Sequence, residues 1–382
     1  LKIAIFDYFL VPDNPIGGCH LRIVQSLCNE HEFTIFSVKF ENPRPDRIRW
    51  VRIPAASRPQ AFLYLTFHLL APLYYLWHRF RSGTRYDLKQ TVESNLLFGD
   101  VSYVHFCHKA FLGHWNQARV GGLRSVLRHF DHWLRARLEP WAYRRKEQLI
   151  VVPSRGLCRE LETTYPWIAS KLLVLPNPVA LTKMARPKEF DRDSLRRQLG
   201  FSSRELVFVF VALGHFERKG LPLLLDALAV SGNEALKLIV VGGDERLIAS
   251  WRERASRMGL ERQVVFVGSQ KDIRPYLWTA DVFTLPSHYE VFPLVVLEAA
   301  ASALPLLVTR VHGVEEFFTE GQNGLAVVPT RDSLLDGLQR FSKMASALRM
   351  QMGANARSSV AEYAESNFIG RWRTIYQRAA ER

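Results

Sequence analysis

The sequence predicts an α/β protein with two doubly wound domains, each a parallel sheet covered by helices on both faces. Three observations carry that expectation. Short β-branched or aromatic runs alternate with longer helical patterns along the chain. The alternation comes in two sets, separated by Pro176-Asn177-Pro178 and a charged stretch from Lys183 to Arg197 that is rich in breakers. The 382 residues leave room for two cores, at ~150 residues per domain. Strands alternating with helices form parallel sheets, so the two sets are expected as Rossmann-like domains at residues 1–178 and 179–363.

In the first set the expected strands are Lys2–Phe6, Phe33–Val38, Val101–Phe106, Leu149–Ser154 and Lys171–Asn177. In the second they are Glu205–Leu213, Leu236–Gly243, Val264–Gly268, Asp281–Pro286 and Leu304–Thr309. No low-complexity tract or short repeat interrupts them. Ligands of doubly wound sheets bind beyond the carboxyl ends of the strands, so chemistry is sought in the loops that follow strands.

Composition narrows the partners. A content of 48% hydrophobic and 23% charged residues is that of a folded globular protein. The 51 Lys and Arg against 37 Asp and Glu give a formal net charge of +14, which suits nucleic acid, an anionic membrane surface or phosphorylated substrates. Cys19, Cys28, Cys107 and Cys158 have no paired spacing, so neither a zinc site nor a disulfide framework is indicated and a reducing compartment is expected. The opening Lys2-Ile3-Ala4-Ile5-Phe6 reads as a strand and not as a signal peptide, which points to the cytoplasm. The longest apolar stretch, Ala61 to Trp77, is short for a membrane span of ~20 residues, and Pro72 is expected to break it. It reads as a buried or interfacial helix whose aromatics and basic flank, His78-Arg79-Phe80-Arg81, permit shallow contact with a bilayer.

Five loops hold candidates. After the first strand, Asp13-Asn14-Pro15-Ile16-Gly17-Gly18 precedes a helical pattern from about Cys19. Paired glycines let a backbone approach a ligand closely, although plain turn geometry also uses them. The loop lacks the GxGxxG fingerprint of a nicotinamide site. In Gly214-His215-Phe216-Glu217-Arg218-Lys219-Gly220, the adjacent Arg218 and Lys219 either clamp an anion or form an exposed basic pair. His105 and His108 straddle Cys107 after another strand, where a histidine can serve a ligand or be satisfied structurally. No acid or second cysteine pair nearby completes a zinc shell. Asp191-Arg192-Asp193 looks like a metal-binding DxD on paper. It follows no strand, and Asp193 with Ser194 reads as a helix N-cap, so no divalent ion is expected.

The last loop is the most informative. Glu290 and Glu298 frame Val291-Phe292-Pro293-Leu294-Val295-Val296-Leu297, with Pro293 suited to the first position of a helix running through Leu294–Ala303. Both carboxylates then flank a helix N-terminus whose leading N–H groups, at Leu294 and Val295, attract an anion. Two solvated surface glutamates are the simpler alternative.

Taken together these loops resemble a retaining glycosyltransferase of family four, one of the group 1 glycosyltransferases with the GT-B fold. The glutamate pair is the specific match, supported by Arg218-Lys219-Gly220, Gly17-Gly18, and Gly313 with Gly321-Gln322-Asn323-Gly324 before a further strand. The resemblance covers essentially the whole chain and is tightest in the second half. It implies two facing Rossmann-like domains and a C-terminal segment, 364–382, that crosses back to complete the first. It implies that Glu298 accepts hydrogen bonds from the ribose of a nucleotide-diphosphate sugar and that Glu290 contacts hydroxyls of the transferred sugar. The main chain around Phe292, Pro293, Leu294 and Val295 would meet diphosphate and sugar, with Gly214, Arg218 and Lys219 beside the phosphates. In the first domain it implies Gly17 and Gly18 near the phosphates and His105 at the donor sugar, with His108 competing for that place. Val291 stands where glycine is frequent, and Pro178 replaces the glycine often seen after the interdomain asparagine. Same-face attack by the acceptor hydroxyl would need no protein base, with a double displacement as the alternative.

The first domain of such enzymes usually binds the acceptor. Here the stretch from Arg119 to Lys146 mixes Arg124, Arg128, Arg135, Arg137, Arg144 and Arg145 with Trp133 and Trp141, a combination suited to anionic lipid headgroups or to a solvated helix face. The expected partners are therefore a nucleotide-sugar donor, a glycan or lipid-linked acceptor, and peripheral contact with an anionic membrane, without cofactor or metal. Lipopolysaccharide or another cell-surface polysaccharide is the expected product class. An epimerase or sugar phosphorylase of the same fold is the nearest alternative, and a nonenzymatic basic binding or scaffold protein the distant one. Nucleic acid is disfavoured because no recognition module or base-stacking pattern is present.

Overall fold

The computed structural model describes residues 1–56, 59–114 and 123–382. The chain divides into two compact units, Leu1–Pro178 with Ser366–Arg382, and Val179–Glu365.

The first unit carries the strands β1 (Lys2–Phe6), β2 (Phe9–Leu10), β3 (Glu32–Ser37), β4 (Lys39–Phe40), β5 (Arg49–Arg52), β6 (Leu88–Val92), β7 (Val101–Tyr103), β8 (Leu149–Val152) and β9 (Leu172–Val174). Seven of them form one parallel sheet in the order β5-β3-β1-β6-β7-β8-β9, while β2 and β4 make a small parallel pair. Its helices are α1 (Pro15–Leu27), α2 (Gln60–Ser82), α3 (His108–His114), α4 (Leu123–Ala142) and α5 (Arg155–Thr164). The core strands read as expected, with Ile3, Ile5, Phe33, Ile35, Val101, Tyr103 and Val151 buried between helix layers. Two strands of the large sheet, β5 and β6, were not expected. Strand β6 reads Leu-Lys-Gln-Thr-Val, and its polar Gln90 and Thr91 are fully buried yet bonded. The Gln90 amide reaches His20 Nε2 at 2.8 Å and accepts from Tyr376 Oη at 2.6 Å, while Thr91 Oγ1 meets Ser102 Oγ at 2.8 Å.

Pro72 does not end α2, which runs unbroken from Gln60 to Ser82. Packing explains this: Leu63, Tyr64, Phe67 and Ala71 bury one face, and that burial offsets the ~3 kcal/mol a mid-helix proline costs. No helix among the described residues is long and apolar enough to cross a membrane.

The second unit contains α6 (Leu181–Met184), α7 (Arg192–Gln198), β10 (Leu206–Val211), α8 (Leu221–Ser231), β11 (Leu236–Val241), α9 (Glu245–Arg257), β12 (Val264–Gly268), α10 (Arg274–Thr279), β13 (Val282–Leu285), α11 (Leu294–Ala301), β14 (Leu306–Val308), β15 (Gly324–Ala326), α12 (Arg331–Lys343) and α13 (Ser346–Ser359). Its parallel sheet has the order β12-β11-β10-β13-β14-β15. Strands β10 and β11 are buried along their whole length, so β10 reads as a continuous apolar run and β11 as one interrupted by Lys237, whose ammonium donates to Arg262 O and pairs with Glu205. The last helix, α14 (Glu365–Ala380), packs in the first unit, burying Phe368, Trp372, Ile375 and Tyr376.

The Asp191-Arg192-Asp193 triplet is structural. The cap of α7 is Asp191, whose side chain accepts from Ser194 N–H at 2.9 Å, and Asp193 lies inside the first turn. Arg192 and Arg196 turn inward onto Asp281 at the head of β13. Burial alone would raise the Asp281 carboxyl, but the two guanidiniums and the Val207 N–H hold it below its ordinary value.

Candidate functional site

In a doubly wound sheet the crevice opens where successive connections leave in opposite directions. In the second unit β10 and β13 are the neighbouring strands where this happens, because β10 leads toward β11 and β12 and β13 leads toward β14 and β15. The loop after β10 carries Gly214, Arg218 and Lys219; the loop after β13 carries Ser287 and Glu290.

These loops interlock. Gly220 has φ +85°, and a Cβ there would sit 2.2 Å from the Pro286 carbonyl oxygen, so only glycine lets the two backbones touch. The His288 N–H donates to Arg218 O at 2.9 Å, and the Arg218 guanidinium donates to Tyr289 O. Side chains then converge on one carboxylate oxygen: Glu290 Oε1 accepts from Lys219 Nζ at 2.8 Å, Ser287 Oγ at 2.9 Å and Arg218 NH1 at 3.2 Å. Burial pushes the Glu290 carboxyl up, but the charges of Lys219 and Arg218 and the bonds from Lys219 and Ser287 outweigh it, leaving the group below its ordinary value. The arrangement holds one anion against two cations, a net positive centre at a strand-helix junction. Gly214 has open space around its α-carbon.

Helix α11 begins beside this cluster. Pro293 is its N-cap and not its first helical residue, so the helix starts one position later than expected, and it ends at Ala301 because Ala303 turns to φ +59°. No side chain caps α11, so its leading N–H groups at Leu294 and Val295 keep the partial positive charge of a helix start. Glu298 stands half-buried one turn into the helix. Phe292 is wedged against Gly313, where φ is +84° and a Cβ would lie 2.6 Å from the Phe292 ring. Asn323 shapes the turn before β15, accepting from Thr319 N–H at 2.8 Å and donating to Phe317 O at 2.7 Å.

The remaining candidates belong to the first unit. Gly17 and Gly18 lie inside the first turn of α1 and not in a loop before it, since Asn14 caps that helix by accepting from Gly17 N–H at 2.8 Å. A Cβ on Gly17 would meet the Phe9 carbonyl oxygen at 1.9 Å, so close backbone packing alone demands glycine there. His105 follows β7, with Nε2 3.2 Å from Asn177 Oδ1, and Tyr103 Oη donates to the same oxygen. Burial drives the His105 imidazole down to about 4, so it is neutral at pH 7. His108 starts α3; its N–H donates to Glu139 Oε1 at 2.7 Å and its Nδ1 lies 2.9 Å from His132 Nδ1. The acids beside His108, Glu93 and Glu139, come from distant sequence and were not foreseen. Among the described residues no group of His, Cys, Asp and Glu has the arrangement to hold a metal ion.

Residues 191–359 match the family described as glycosyl transferases group 1. An uncharacterised glycosyltransferase of Methanocaldococcus jannaschii is 24% identical over 359 residues, covering 89% of this chain and 88% of its own. The lipopolysaccharide glucosyltransferase WaaG of Escherichia coli is 23% identical over 369 residues, covering 94% of this chain and 93% of its own. Among solved structures, Anabaena HepE in complex with UDP superposes with a TM-score of 0.76 at 18% identity, covering 99% of this chain and 100% of HepE, which has also been solved with UDP-glucose. The fold is that of the GT-B glycosyltransferases, and the second unit is similar in sequence to the group 1 glycosyl transferases.

Proposed function

We propose that this protein is a retaining, metal-independent hexosyltransferase that moves a sugar from a nucleoside-diphosphate sugar to a hydroxyl of a glycan or lipid-linked acceptor, in the synthesis of lipopolysaccharide or another cell-surface polysaccharide. The observation that carries it is the Arg218–Lys219–Glu290 cluster at the β10/β13 switch point, next to the uncapped start of α11. Cleaving the anomeric bond leaves extra negative charge on the departing diphosphate. Arg218, Lys219 and the α11 N–H groups supply fixed positive charge for it, in the place a divalent ion would otherwise fill. Glu290 holds both cations in position and offers its other carboxylate oxygen to hydroxyls of the moving sugar. Glu298 accepts from the ribose, Gly17 and Gly18 bring the α1 backbone close to the phosphates, and neutral His105 contacts the donor sugar. In a same-face attack the acceptor oxygen bonds to the anomeric carbon as the bond to the diphosphate breaks, and the acceptor's proton passes to the departing phosphate oxygen, so no protein base is needed. That HepE binds UDP and UDP-glucose and that WaaG acts in lipopolysaccharide synthesis support this donor class and product class.

A panel of uridine, guanosine and adenosine diphosphate sugars, read by binding and by hydrolysis, identifies the donor. With that donor, Glu298→Ala should weaken binding, and replacing both Arg218 and Lys219 with Ala should lower turnover about 100-fold or more, at roughly 1.5 to 3 kcal/mol per charge-assisted bond. Full activity in both variants sinks the assignment.

We further propose that the first unit docks on an anionic bilayer. Helix α2 turns Phe62, Leu69, Leu73, Leu76, Trp77 and Phe80 outward, each more than half exposed and Phe80 at 91%. Their spacing makes a stripe along one helix face, ending at Arg79 and Arg81. On α4, exposed Trp133 and Trp141 carry Arg137 and Arg144 over their rings at 5.5 and 5.1 Å. Residues 119–122 of the expected basic stretch lie outside the described residues. Co-sedimentation with phosphatidylglycerol vesicles at low salt, and its loss on replacing Leu69 and Leu73 with Ser, is the expected result. Protein left in the supernatant with anionic vesicles refutes it.

A further inference from the structure

We propose that the first unit carries a ligand site at its own switch point, where the carboxylate of Glu93 accepts hydrogen bonds from the hydroxyls of the acceptor sugar. This rests on the glycosyl-transfer reading above. The sheet order places the switch between β1, whose connections lead to β3 and β5, and β6, whose connections lead to β7, β8 and β9. Tyr8 comes just after β1 and Glu93 is the first residue after β6. The same rule that locates the cluster of the second unit therefore locates these two side chains.

Glu93 is held in an unusual way. Its φ is +50°, a conformation that is uncommon for a residue with a side chain, and its N–H donates to Tyr103 O at 3.0 Å. One carboxylate oxygen, Oε2, lies 3.6 Å from His108 Nε2 and 3.8 Å from Arg135 NH1. Arg135 is itself buried on α4, hydrogen-bonded to Asp131 Oδ2 at 3.1 Å, with its guanidinium 4.7 Å from the Tyr64 ring centre. The Glu93 side chain is 15% exposed, against 7% for His108 and 8% for Arg135. The carboxylate is thus the outermost member of the cluster, backed by buried positive charge.

Polar groups around it lack a hydrogen-bond partner: the Tyr8 hydroxyl and Oδ1 of Asp131 have none, and Nε2 of His108, whose residue is only 5% exposed, has just the long 3.6 Å contact with Glu93. A buried polar group without a partner is costly, and such groups gather where a ligand supplies the missing bonds. The charge balance selects the ligand class. Arg135, the guanidinium paired with this cluster among the described residues, is committed to Asp131 and Glu93, so an incoming phosphate would face two carboxylates. A neutral polyol does not have this conflict. Its hydroxyls donate to Glu93 and pair with Tyr8, which describes a pyranoside.

The test uses methyl glucoside, galactoside, mannoside and N-acetylglucosaminide, observed by saturation-transfer NMR on the intact protein, with UDP affinity measured separately by calorimetry. At least one glycoside should bind the wild-type protein. Glu93→Gln should weaken that binding by about 10-fold or more, as expected for a hydrogen bond to a charged group, and Tyr8→Phe by a smaller factor. UDP affinity should stay within about twofold in both variants, since neither Glu93 nor Tyr8 is among the donor contacts proposed above. Tyr8→Phe removes only a hydroxyl without a protein partner, so it decides the matter if Glu93→Gln does not fold. Absence of glycoside binding to the wild type, or unchanged binding in the folded variants, overturns the proposal. Failure of UDP, GDP and ADP alike to bind the wild type instead overturns the donor assignment and leaves the glycoside arm to decide Glu93.

Discussion

At the scale of single residues, Glu290 shows how a local oddity becomes a site. A carboxylate in an apolar stretch is legible in sequence, as is the basic pair Arg218-Lys219. Their union is not, because 71 residues separate Lys219 from Glu290 and only the sheet brings them to 2.8 Å. The pairing has a measurable consequence. Glu290 is held below the ordinary carboxyl value of 4.5, so the stability it contributes is fully present above that value and is lost as pH falls through the folded one. Glu290→Gln should cost about 3 kcal/mol near neutrality by leaving two cations unpaired. The gap in melting temperature between wild type and variant should shrink below pH 4.5; a gap independent of pH between 7 and 3 contradicts the pairing. Glu93 escaped notice for a related reason. Its strand was not foreseen, so nothing marked it as a strand-end residue.

At the scale of elements, periodicity located the buried strands and failed where tertiary partners override it. Strand β10 is apolar throughout, and β11 and β13 carry one polar residue each, Lys237 and Thr284, so all three are legible. Strand β6 lies in the middle of its sheet yet looks like a loop, since Gln90 and Thr91 are satisfied by His20, Tyr376 and Ser102 rather than by water. Capping signals were right in kind and shifted in place: Asp191, not Asp193, caps α7, and Asn14 starts α1 at Pro15, so that Gly17 and Gly18 fall within the helix. Local chemistry allows more than one start, and backbone contact chooses, as the Phe9 carbonyl does at Gly17. The same holds for α2, where Pro72 is a breaker by propensity and is overridden by the packing of Tyr64, Phe67 and Ala71.

At the scale of the whole molecule, the last helix leaves the second unit and completes the core of the first. Trp372 is fully buried there, with its ring 5.2 Å from Tyr103, and the exposed Glu30–Arg373 pair adds little. Trp372→Ala should therefore destabilise the first unit by about 3 to 5 kcal/mol while sparing the second. Limited proteolysis should then cut first within residues 1–178; equal protection of both units would show that α14 is dispensable. By itself the sequence determined the two-unit α/β class, the apolar buried strands, and the carboxylates and cations of the loops after β10 and β13, because these depend on patterns within a few residues. Only the tertiary structure decided which charges pair, which glycines are demanded by backbone contact, and that Glu93, Arg135 and His108 meet. Those outcomes depend on distances between segments far apart in the chain, and the order of strands in the sheets sets them.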